Sequence, residues 1–455
     1  MIILQKIYRS DLFQRCDHDY KDHNSFSDMK ERIVRDPLHN FISLSDYDFV
    51  QKLVDTEYFQ RLRRLFQLGV SVYVYPSATH NRLSHSLGAM ELFGRIFDNI
   101  HKDIKDGSKE ELRKIGIATI LLHDIGHGPL SHVTEQIFKF KHEDMTTEII
   151  KTTEISDILK KEGIEPDTIV KIINHTSEPE YKYISQLVSS QLDADRLDYL
   201  TRDAYFTGVA FGKIDLERII RTLQIYKGGG DIEGYVVSNN KGLEAIESYV
   251  LSRHLMYQGV YFHKTTRCFE RLIENVFKRA IFLAIDNKLI FPKEFEFLKN
   301  GGFSVNNLMQ LDDHAVYSLI RQWTENSDKI LNDLADRIIN RKPLKWKNIK
   351  KLKTYSENLE KIKGELIKNE FDPDYYLLFD EPSETPYSPY SPKGADDNTS
   401  VITNIFVLNE EGRPEEISHL SKVVKTLADN QTSFRIYVPE ECKAQTLSIL
   451  RSNEN

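Results

Sequence analysis

Five of the fifteen histidines fall in two short stretches whose residue types suit metal binding. The first stretch, THNRLSHSLG, contains His80 and His85. The second stretch, LLHDIGHGPLSH, contains His123, Asp124, His127 and His132. Imidazole and carboxylate ligands together suit a borderline divalent ion such as Fe, Mn, Co, Ni or Zn. A site with open coordination positions lets such an ion bind water and lower the pKa of that water.

A further carboxylate ligand is available downstream, in the stretch QLDADRLDYLTRD. Its acidic residues are Asp193, Asp195, Asp198 and Asp203. A simpler interpretation competes with the metal site. A histidine on an apolar helix is usually a hydrogen-bonded core or surface residue, and Asp198 and Asp203 could be ion-pair partners of Arg196 and Arg202. Spacing alone supports the two interpretations about equally, and the Gly-His-Gly-Pro turn slightly favours the metal site, because glycine lets backbone and ligand approach closely.

The elements that must position these residues are mainly helical. Apolar periodicity predicts helices over 46–68, 82–100, 109–123, 144–175, 183–205, 215–225 and 242–289. His123 and Asp124 therefore end an apolar helix, where an imidazole and a carboxylate can reach one ion, and Gly126 begins the next turn. A short strand and turn follow Arg32, and a hairpin is predicted at 222–238 around three consecutive glycines.

Composition along the 455 residues indicates several units rather than one compact core. We predict a polar lead segment over 1–31, a catalytic domain over 32–270 and a lysine-rich helical region over 271–380. A linker over 381–400 is rich in Pro, Ser, Gly and Asp. A small strand–helix–strand module follows over 401–455. The predicted fold class is mainly α, with small β hairpins and this β-α-β C-terminal module.

Composition also excludes several classes of protein. The chain is 40% hydrophobic and 29% charged, as in ordinary globular proteins. Its longest apolar run is far shorter than the ~20 residues of a membrane helix, and we expect no secretory signal. Three scattered cysteines do not form a disulfide framework, so a reducing cytoplasm is the expected location.

A net charge of −8 gives no general attraction to nucleic acid. One basic run, RKPLKWKNIKKLK at 341–353, surrounds a tryptophan. Such a run could contact single-stranded nucleic acid through charge and stacking. A solvated helix face is the simpler interpretation, so a nucleic-acid partner is left open.

The order His85, His123–Asp124 and Asp195 resembles the H…HD…D motif of the HD-domain metal-dependent phosphohydrolases. Within that superfamily, the stretches RDPLHNFI, TEYFQRLRRLFQLG, YPSATHNRLSHSLG, LLHDIGHGPLSH and DADRLDYLTRDAYFTG resemble the deoxynucleoside triphosphate triphosphohydrolases (dNTPases). These include bacterial enzymes and the mammalian enzyme that carries a SAM domain before its HD domain. The similarity covers about residues 32–267 and implies an HD-domain helical core.

The resemblance implies a reaction and the residues that perform it. Activated water would attack the α-phosphorus of a dNTP and release a deoxynucleoside and intact triphosphate. The implied metal ligands are His85, His123, Asp124 and Asp195. His132 matches the position that protonates the leaving 5′ oxygen, and Glu135 matches its acidic partner, which is Asp in the mammalian enzyme. Residues His127 and His142 match histidines near the phosphates, and Mg²⁺ bridging the phosphates is expected as a second, exchangeable ion.

Substrate contacts are implied by the same resemblance. The phosphate-contacting positions are Arg82, Arg196 and Arg253, whose planar guanidinium groups can bind oxyanions in a bidentate manner. The sugar-contacting positions are Gln67 and Asp203 at the 3′ hydroxyl, Leu68 and Tyr199 against C2′, and Tyr261 beside the sugar and base. Without the resemblance, Leu68 would be interpreted as a core leucine, and Arg253 and Tyr261 as ordinary helix residues.

A regulatory site is also implied. The positions of an activating guanine nucleotide at a subunit contact are matched by Arg32, Asp55, Gln60 and Arg63. Two phosphate contacts of a second nucleotide are matched by Arg218 and Lys241, whereas Asn239 replaces an arginine there and Arg35 replaces an asparagine in the first site. Ion pairs on a helix surface are the simpler interpretation of Asp55. The resemblance further implies a homo-oligomer, with a tetramer as the expected size.

Two alternative functions remain open at this point. One is an HD-type phosphodiesterase or nuclease that acts on nucleic acid or cyclic nucleotides. The other is a non-catalytic nucleotide sensor that retains the fold. The arginines and the sugar-contacting set argue against the first alternative, and the intact set of four metal-ligand types argues against the second. The preferred dNTP, the native metal and the biological role, dNTP pool balance or defence against phage, are left open.

Overall fold

The structure is a computed structural model that describes residues 32–102, 108–349, 356–384, 404–427, 431–432 and 434–451. The predicted lead segment over 1–31 and most of the predicted linker over 381–400 lie outside these residues. Within them the chain is mainly helical with a few small sheets. The predicted fold class is therefore confirmed.

The helices before residue 260 surround the two histidine-rich stretches. They are α1 (Asp48–Asp55), α2 (Glu57–Gln60), α3 (Arg82–Ile100), α4 (Ser108–Leu122), α5 (His132–Phe138), α6 (His142–Thr152), α7 (Glu154–Lys161), α8 (Pro166–Ile173), α9 (Lys182–Val188), α10 (Ala194–Thr207), α11 (Leu216–Thr222) and α12 (Leu243–Met256). Helix α12 continues into a π-helical turn at Tyr257–Tyr261. Short 3-10 helices occur at Arg61–Arg64, Gly69–Tyr73, Pro179–Tyr181 and Asn240–Gly242.

The remaining helices form the C-terminal part. They are α13 (Lys264–Ile285), α14 (Phe297–Asn300), α15 (Val305–Gln310), α16 (Asp313–Trp323), α17 (Lys329–Ile339), α18 (Ser356–Lys368), α19 (Pro373–Tyr376), α20 (Ile417–Leu420), α21 (Lys422–Leu427) and α22 (Glu440–Arg451). A 3-10 helix at Lys293–Phe295 precedes α14.

Four small sheets complete the fold within the described residues. The strands are β1 (Ile33–Asp36), β2 (Asn40–Ser43), β3 (Leu223–Ile225), β4 (Val236–Ser238), β5 (Lys345–Ile349), β6 (Leu378–Asp380), β7 (Ser383–Glu384), β8 (Phe406–Leu408), β9 (Pro414–Glu416), β10 (Gln431–Thr432) and β11 (Phe434–Val438). Their orders are β1-β2, β10-β7, β5-β11-β6 and β3-β4-β8-β9. The antiparallel pair β3 and β4 is the hairpin predicted at 222–238.

Helices α3 and α4 begin and end within one residue of their predicted bounds, whereas the helices predicted over 46–68, 144–175, 183–205 and 242–289 are each divided. The helix predicted over 215–225 ends at Thr222, where β3 begins. The helix predicted over 46–68 is interrupted at Thr56, which has an extended backbone and accepts a hydrogen bond from the Phe59 amide as the N-cap of α2. The helix predicted over 144–175 breaks at Thr153, the N-cap of α7, and again before Pro166, which begins α8. Capping side chains compete with helix continuation at these points.

The structure differs from our predictions in two regions, the basic run at 341–353 and the C-terminal module at 401–455. Residues 345–349 of the basic run form strand β5, so the helix-face interpretation of that segment is wrong, and residues 350–353 lie outside the described residues. The strand–helix–strand order after residue 401 is present. However, β8 pairs with β4 whereas β11 pairs with β5 and β6, so the two strands of the predicted module belong to different sheets.

Two apolar clusters hold the chain together. In the first, α3 packs against α4 and α10. In the second, α13 packs against α17, and α16 packs against α17 beside the sheet of β5, β6 and β11. Across the described ranges, no helix combines the length and apolarity that crossing a lipid bilayer requires.

Candidate metal centre and active site

The four predicted metal ligands converge at one point between α3, the end of α4 and the start of α10. His85 Nε2 lies 3.0 Å from Asp195 Oδ1 and 3.8 Å from Asp124 Oδ2. His123 Nε2 lies 3.5 Å from the same Asp195 oxygen and 3.4 Å from Asp124 Oδ1. His85, His123 and Asp195 form a group that could hold a metal ion, and Asp124 lies beside both histidines. The assignment of the four residues as metal ligands stays a prediction.

The free nitrogen atoms of the two histidines fit a metal ion. His123 Nδ1 donates to the Ile120 carbonyl at 2.6 Å, which leaves the lone pair on Nε2. Both Nε2 atoms are buried and make no hydrogen bond within the described part of the chain. Burial lowers the pKa of His85, but the nearby carboxylates of Asp195 and Asp198 outweigh burial and raise it to about 10. The carboxylates thus attract a positive charge to this space, and a metal cation satisfies that demand with neutral imidazoles.

A buried ion-pair network orients the first histidine. Asp198 accepts hydrogen bonds from His85 Nδ1 at 2.9 Å, from His39 Nε2 at 2.7 Å and from Arg202 Nε at 2.8 Å. Arg202 also donates to Asp36 at 2.8 Å. The ion-pair interpretation of Asp198 is therefore correct, and the same carboxylate fixes the ring of His85, as in carboxylate–histidine–metal arrangements.

A second titratable cluster adjoins the first. Glu135 Oε1 lies 3.1 Å from His132 Nδ1, 3.1 Å from His142 Nδ1 and 3.7 Å from His127 Nδ1. The rings of His127 and His142 stack with centroids 3.9 Å apart. Asp124 connects the two clusters, because its Oδ1 is 3.3 Å from His127 Nε2. All four predicted catalytic residues thus lie together beside the metal ligands.

The close contacts within the second cluster shift the pKa values of Glu135 and His127. Burial raises the pKa of Glu135, but hydrogen bonds from His132 and His142 outweigh burial and hold that pKa below its ordinary value. Burial and the neighbouring Arg82 guanidinium lower the pKa of His127 well below its ordinary value. Glu135 is therefore an anion and His127 a neutral imidazole near neutral pH.

A cavity of about 430 Å³ joins the clusters to most of the predicted substrate residues. The predicted residues that line it are Gln67, Leu68, Arg82, Asp124, His127, His132, His142, Asp195, Tyr199, Asp203 and Tyr261. Arg82 donates to Asp124 Oδ2 at 2.5 Å and to Ser131 Oγ at 3.0 Å. One guanidinium therefore spans the metal ligands and the loop before His132.

The residues predicted to contact a sugar form one polar corner of this cavity. Asp203 accepts from His80 Nε2 at 2.7 Å and from the Tyr261 hydroxyl at 2.7 Å. The Tyr199 and Tyr261 rings meet edge to face at 6.2 Å. Gln67 Oε1 is buried and accepts no hydrogen bond from the described residues. This corner is preorganised, and one acceptor in it is left for a donor from a ligand.

Two predicted phosphate contacts lie outside the residues that line the cavity. Arg196 forms an ion pair with Asp193, the N-cap residue of α10. The guanidinium of Arg253 lies 5.7 Å from the centre of the Tyr257 ring. The assignment of Arg196 and Arg253 to phosphate binding stays a prediction.

Comparison with known proteins agrees with this geometry. Residues 82–203 match the HD domain and residues 214–372 match the HD associated region. The Bacillus subtilis (strain 168) protein YwfO, whose name describes it as uncharacterized, is 34% identical over 421 residues, which are 90% of this chain and 93% of YwfO. The chain belongs to the HD-domain phosphohydrolase family.

More distant relatives of this HD-domain phosphohydrolase carry functional names. The Dictyostelium discoideum deoxynucleoside triphosphate triphosphohydrolase SAMHD1 homolog is 28% identical, with matches over 62% of this chain and 56% of that protein. A crystal structure of a phosphohydrolase (BT4208) from Bacteroides thetaiotaomicron superposes with a TM-score of 0.75 at 28% identity, and covers 90% of this chain and all of that one.

The predicted regulatory residues of this HD-domain phosphohydrolase lie on its surface in two groups. In the first, Arg32 pairs with Asp55 at 2.6 Å, and Arg63 donates to Gln60 at 2.7 Å while Gln60 donates to the Val54 carbonyl. The surface ion pair that we considered as the simpler interpretation of Asp55 is thus present. In the second, Arg218 donates to the Lys241 carbonyl at 2.9 Å.

Several residues of the HD-domain phosphohydrolase site were not predicted from its sequence. His39 and Ser131 contact predicted site residues, and Tyr257 lines the cavity. A π-helical turn, which often marks a functional position in a helix, brings Tyr257 and Tyr261 to the cavity. The aromatic spacing YQGVY was a visible signal, whereas nothing near His39 in the sequence indicates its contact with Asp198.

Proposed function

We propose that this HD-domain phosphohydrolase hydrolyses dNTPs to deoxynucleosides and inorganic triphosphate. The observation that carries the proposal is the shared cavity, which has the histidine–aspartate cluster at one side and the Asp203, Tyr199 and Gln67 corner at another. A ligand that fills it therefore needs a phosphate group beside a sugar. The relatives named as dNTPases add support from sequence similarity.

In this proposal the metal is bound by His85, His123, Asp124 and Asp195. Their nitrogen and carboxylate donors suit Fe, Mn, Co, Ni or Zn. When bound, such an ion supplies Lewis-acid polarisation of a phosphate oxygen and activation of water. Mg²⁺ accompanies the nucleotide phosphates, because it prefers phosphate oxygens and water as ligands.

Proton transfer to the leaving group falls to His132 and Glu135. The Nδ1–H of His132 donates to Glu135 at 3.1 Å, so the opposite nitrogen of the ring is free to carry a proton toward the cavity. The pKa of Glu135 is held below its ordinary value by its histidine neighbours, so Glu135 stays ionised and its carboxylate holds the His132 ring through Nδ1. An exposed imidazole held by a carboxylate is a suitable general acid near neutral pH.

Substrate orientation falls to the remaining lining residues. Arg82 is fixed by Asp124 and Ser131, so its guanidinium holds phosphate oxygens beside the metal ligands. Gln67 and Asp203 bind the 3′ hydroxyl. Leu68 and Tyr199 occupy the space that a 2′ hydroxyl would need. The proposal also keeps Arg196, Arg253 and Tyr261 as contacts to the phosphates, the sugar and the base.

Product analysis tests the proposal. Purified protein is incubated with each dNTP and each NTP, with Mg²⁺ or Mn²⁺, with and without GTP or dGTP. We expect deoxynucleoside and triphosphate from dNTPs, and little turnover of NTPs. Release of pyrophosphate, or no turnover under any of these conditions, would contradict the proposal. Cleavage of cyclic nucleotides or nucleic acid instead would favour the phosphodiesterase or nuclease alternative.

A variant pair separates the proposed acid from the metal site. His132→Ala should reduce turnover by about 10²–10⁴-fold, which is the usual contribution of general acid catalysis, and leave the metal content unchanged. His419→Ala, at an exposed position on α20, is the control and should behave as the wild type. Wild-type turnover in His132→Ala would remove His132 from the proposed mechanism.

We also propose activation by a guanine nucleotide at a subunit contact of a homo-oligomer, expected to be a tetramer. Arg32, Asp55, Gln60 and Arg63 form one continuous surface group, and the Asp55 carboxylate can accept the N1 and N2 protons of guanine. GTP should shift the mass measured by light scattering upward and increase dNTP turnover. Asp55→Asn should abolish both responses, whereas Asp157→Asn on the exposed face of α7 should retain them. Residues Arg218 and Lys241 are proposed to bind the phosphates of a second nucleotide.

A further inference from the structure

Residues from two loops line the active-site cavity. The first contains Phe66, Gln67 and Leu68, and it lies beside the segment before α3 through hydrogen bonds of Gln67 with His80 and of Arg82 with Leu65. The second runs from residue 126 to residue 131 and connects the metal ligand Asp124 to the proposed acid His132. The positions of these loops therefore set the distances between Gln67, which is proposed to bind the sugar, Asp124, which is proposed to bind the metal, and the proposed proton donor His132.

The second loop has an unfavourable backbone conformation. Leu130 and Ser131 are consecutive non-glycine residues with φ angles of 52° and 55°. L-amino acids rarely adopt this region, so the conformation persists only where surrounding contacts enforce it. The two loops also meet directly, because a Cβ atom on Gly69 would lie 3.3 Å from the Leu130 carbonyl oxygen.

One buried carboxylate connects both loops. Asp313 is the first residue of α16, and its side chain is fully buried. Its Oδ1 accepts the Leu130 N–H at 2.7 Å, and its Oδ2 accepts the Phe66 N–H at 2.8 Å. Each donor immediately precedes a functional residue: Gln67 in the first loop, and Ser131, which accepts from Arg82, in the second.

A buried guanidinium contacts the backbone at the start of the second loop. Arg61 is fully buried and donates to the carbonyls of Ile125 and His127, at 3.1 and 2.6 Å. The carboxylate of Asp313 thus binds an amide of the loop while Arg61 binds its carbonyls. Burial raises the pKa of Asp313 to about 6, although both backbone hydrogen bonds oppose that shift. Burying a carboxylate has an electrostatic cost. An apolar residue at this position would pack α16 without that cost.

We infer that Asp313 is a positioning residue that sets the spacing of the two active-site loops from the HD associated region. Residue 313 belongs to the segment that matches that region, whereas the second loop lies within the segment that matches the HD domain and the first loop precedes that segment. The associated region therefore contributes to the active site without contacting the substrate through this residue. The inference rests on the proposed function only for its activity readout.

The first test uses hydrogen–deuterium exchange, which requires no substrate. In the wild type, peptides that contain Phe66 and Leu130 should keep these loop amides protected for much longer than solvent-exposed loop amides. Asp313→Asn retains one acceptor oxygen and presents an NH₂ group to the other amide, so it should speed exchange of at least one of the two loop amides by at least tenfold. Rapid exchange of these amides in the wild type would overturn the inference, whether or not the variant folds.

The second test separates positioning from general stability. The matched control is Asp312→Asn, because Asp312 adjoins Asp313 but pairs with the exposed Arg64 and caps α16. With each dNTP substrate found for the wild type, Asp313→Asn should lower kcat at least tenfold, change KM less than threefold and retain full metal content at 25 °C. Asp312→Asn should stay within twofold for all three.

The possible outcomes distinguish the inference from the proposed function. Wild-type kcat in a folded Asp313→Asn variant, or unchanged exchange in both loop peptides, would overturn the inference. A wild-type protein with no dNTP turnover would contradict the proposed function. In that case the exchange experiment alone still decides the role of Asp313.

Discussion

Helices α10 and α17 solve the same packing problem with different residues. Each buries one face in an apolar cluster. The buried face of α10 includes Asp198, Arg202 and Asp203, whereas the buried face of α17 consists of Leu331, Leu334, Ala335 and Ile338. Burying ionised groups is costly even when they are paired, and apolar residues of similar size serve packing as well or better.

The difference indicates which helix serves the site. On α10, two of the buried acidic residues contact proposed functional residues, because Asp198 accepts from His85 and Asp203 accepts from Tyr261, and Arg202 pairs with Asp198. On α17, the charged residues remain at the edge, where Arg337 pairs with Asp333. The cost of the α10 network is therefore explained by function, and α17 supports the fold.

The largest expected effect comes from removing a proposed metal ligand. Asp124→Ala should lower metal content and turnover by more than about a hundredfold, because even residues behind metal ligands commonly contribute 10–100-fold. Plasma mass spectrometry of the purified protein and the triphosphate assay measure the two effects. Asp157→Ala, at an exposed carboxylate of α7, is the control. If Asp124→Ala retained both its metal and its turnover, Asp124 would not be a metal ligand, and a metal centre could not explain the buried charges of α10.

The next effect concerns the buried network of α10. Asp198→Ala leaves Arg202 with Asp36 as its remaining carboxylate and leaves His85 without its Nδ1 acceptor. We expect a loss of about 3–5 kcal/mol in the free energy of unfolding, as for other buried ion pairs that lose one partner. Metal affinity should also fall by about 10–100-fold. Urea unfolding and metal titration measure these quantities, and a change below 1 kcal/mol would show that the network is not needed for folding.

The proximity of the proposed metal ligands could be predicted from the sequence because these residues occur at the ends of strongly periodic helices. Helix α3 carries His85, and α4 ends immediately before His123 and Asp124, so two correct helix bounds already place three ligands. The capping residue Thr56 was harder to recognise, because apolar periodicity continues across it. Local patterns thus locate residues on elements more reliably than they locate breaks.

Contacts between distant segments could not be predicted in the same way. His39 and Asp198 are 159 positions apart, and Asp313 and Leu130 are 183 positions apart. Neither pair leaves a periodic or spacing signal in one sequence. The same limit explains the C-terminal strands: β8 and β11 have the expected composition, but their partners, β4 for one and β5 with β6 for the other, are set by packing of the whole chain.

An apolar truncation on α17 tests the other side of the comparison. Leu334 is fully buried among the residues of the second cluster. Leu334→Ala should reduce the free energy of unfolding by about 2–5 kcal/mol, because the removed atoms leave a cavity. Metal content per folded molecule should stay unchanged, in contrast with Asp198→Ala. A loss of metal from folded Leu334→Ala would show that α17 supports the site as directly as α10 does.

The smallest expected effect comes from an ion pair at the edge of the second cluster. Asp328 accepts from Arg279 Nε at 3.0 Å and from its Nη2 at 2.6 Å, and it caps α17 through the Leu331 amide. The hydrogen bond from Arg279 lowers the pKa of Asp328 below its ordinary 3.8. Because the folded-state pKa is the lower one, the stabilisation is fully present above 3.8 and is lost as the pH falls through the folded-state pKa.

Asp328→Asn keeps an oxygen for the cap and removes only the charge. At pH 7 it should reduce the free energy of unfolding by less than about 1 kcal/mol, as for other partly exposed pairs. The difference between variant and wild type should shrink in urea unfolding as the pH is lowered below 3.8. A difference that persists at low pH would show that geometry, and not charge, is what Asp328 contributes. Either way, an effect this small beside that of Asp198→Ala would show that the buried charges of α10 contribute far more to stability than this ion pair at the edge of α17.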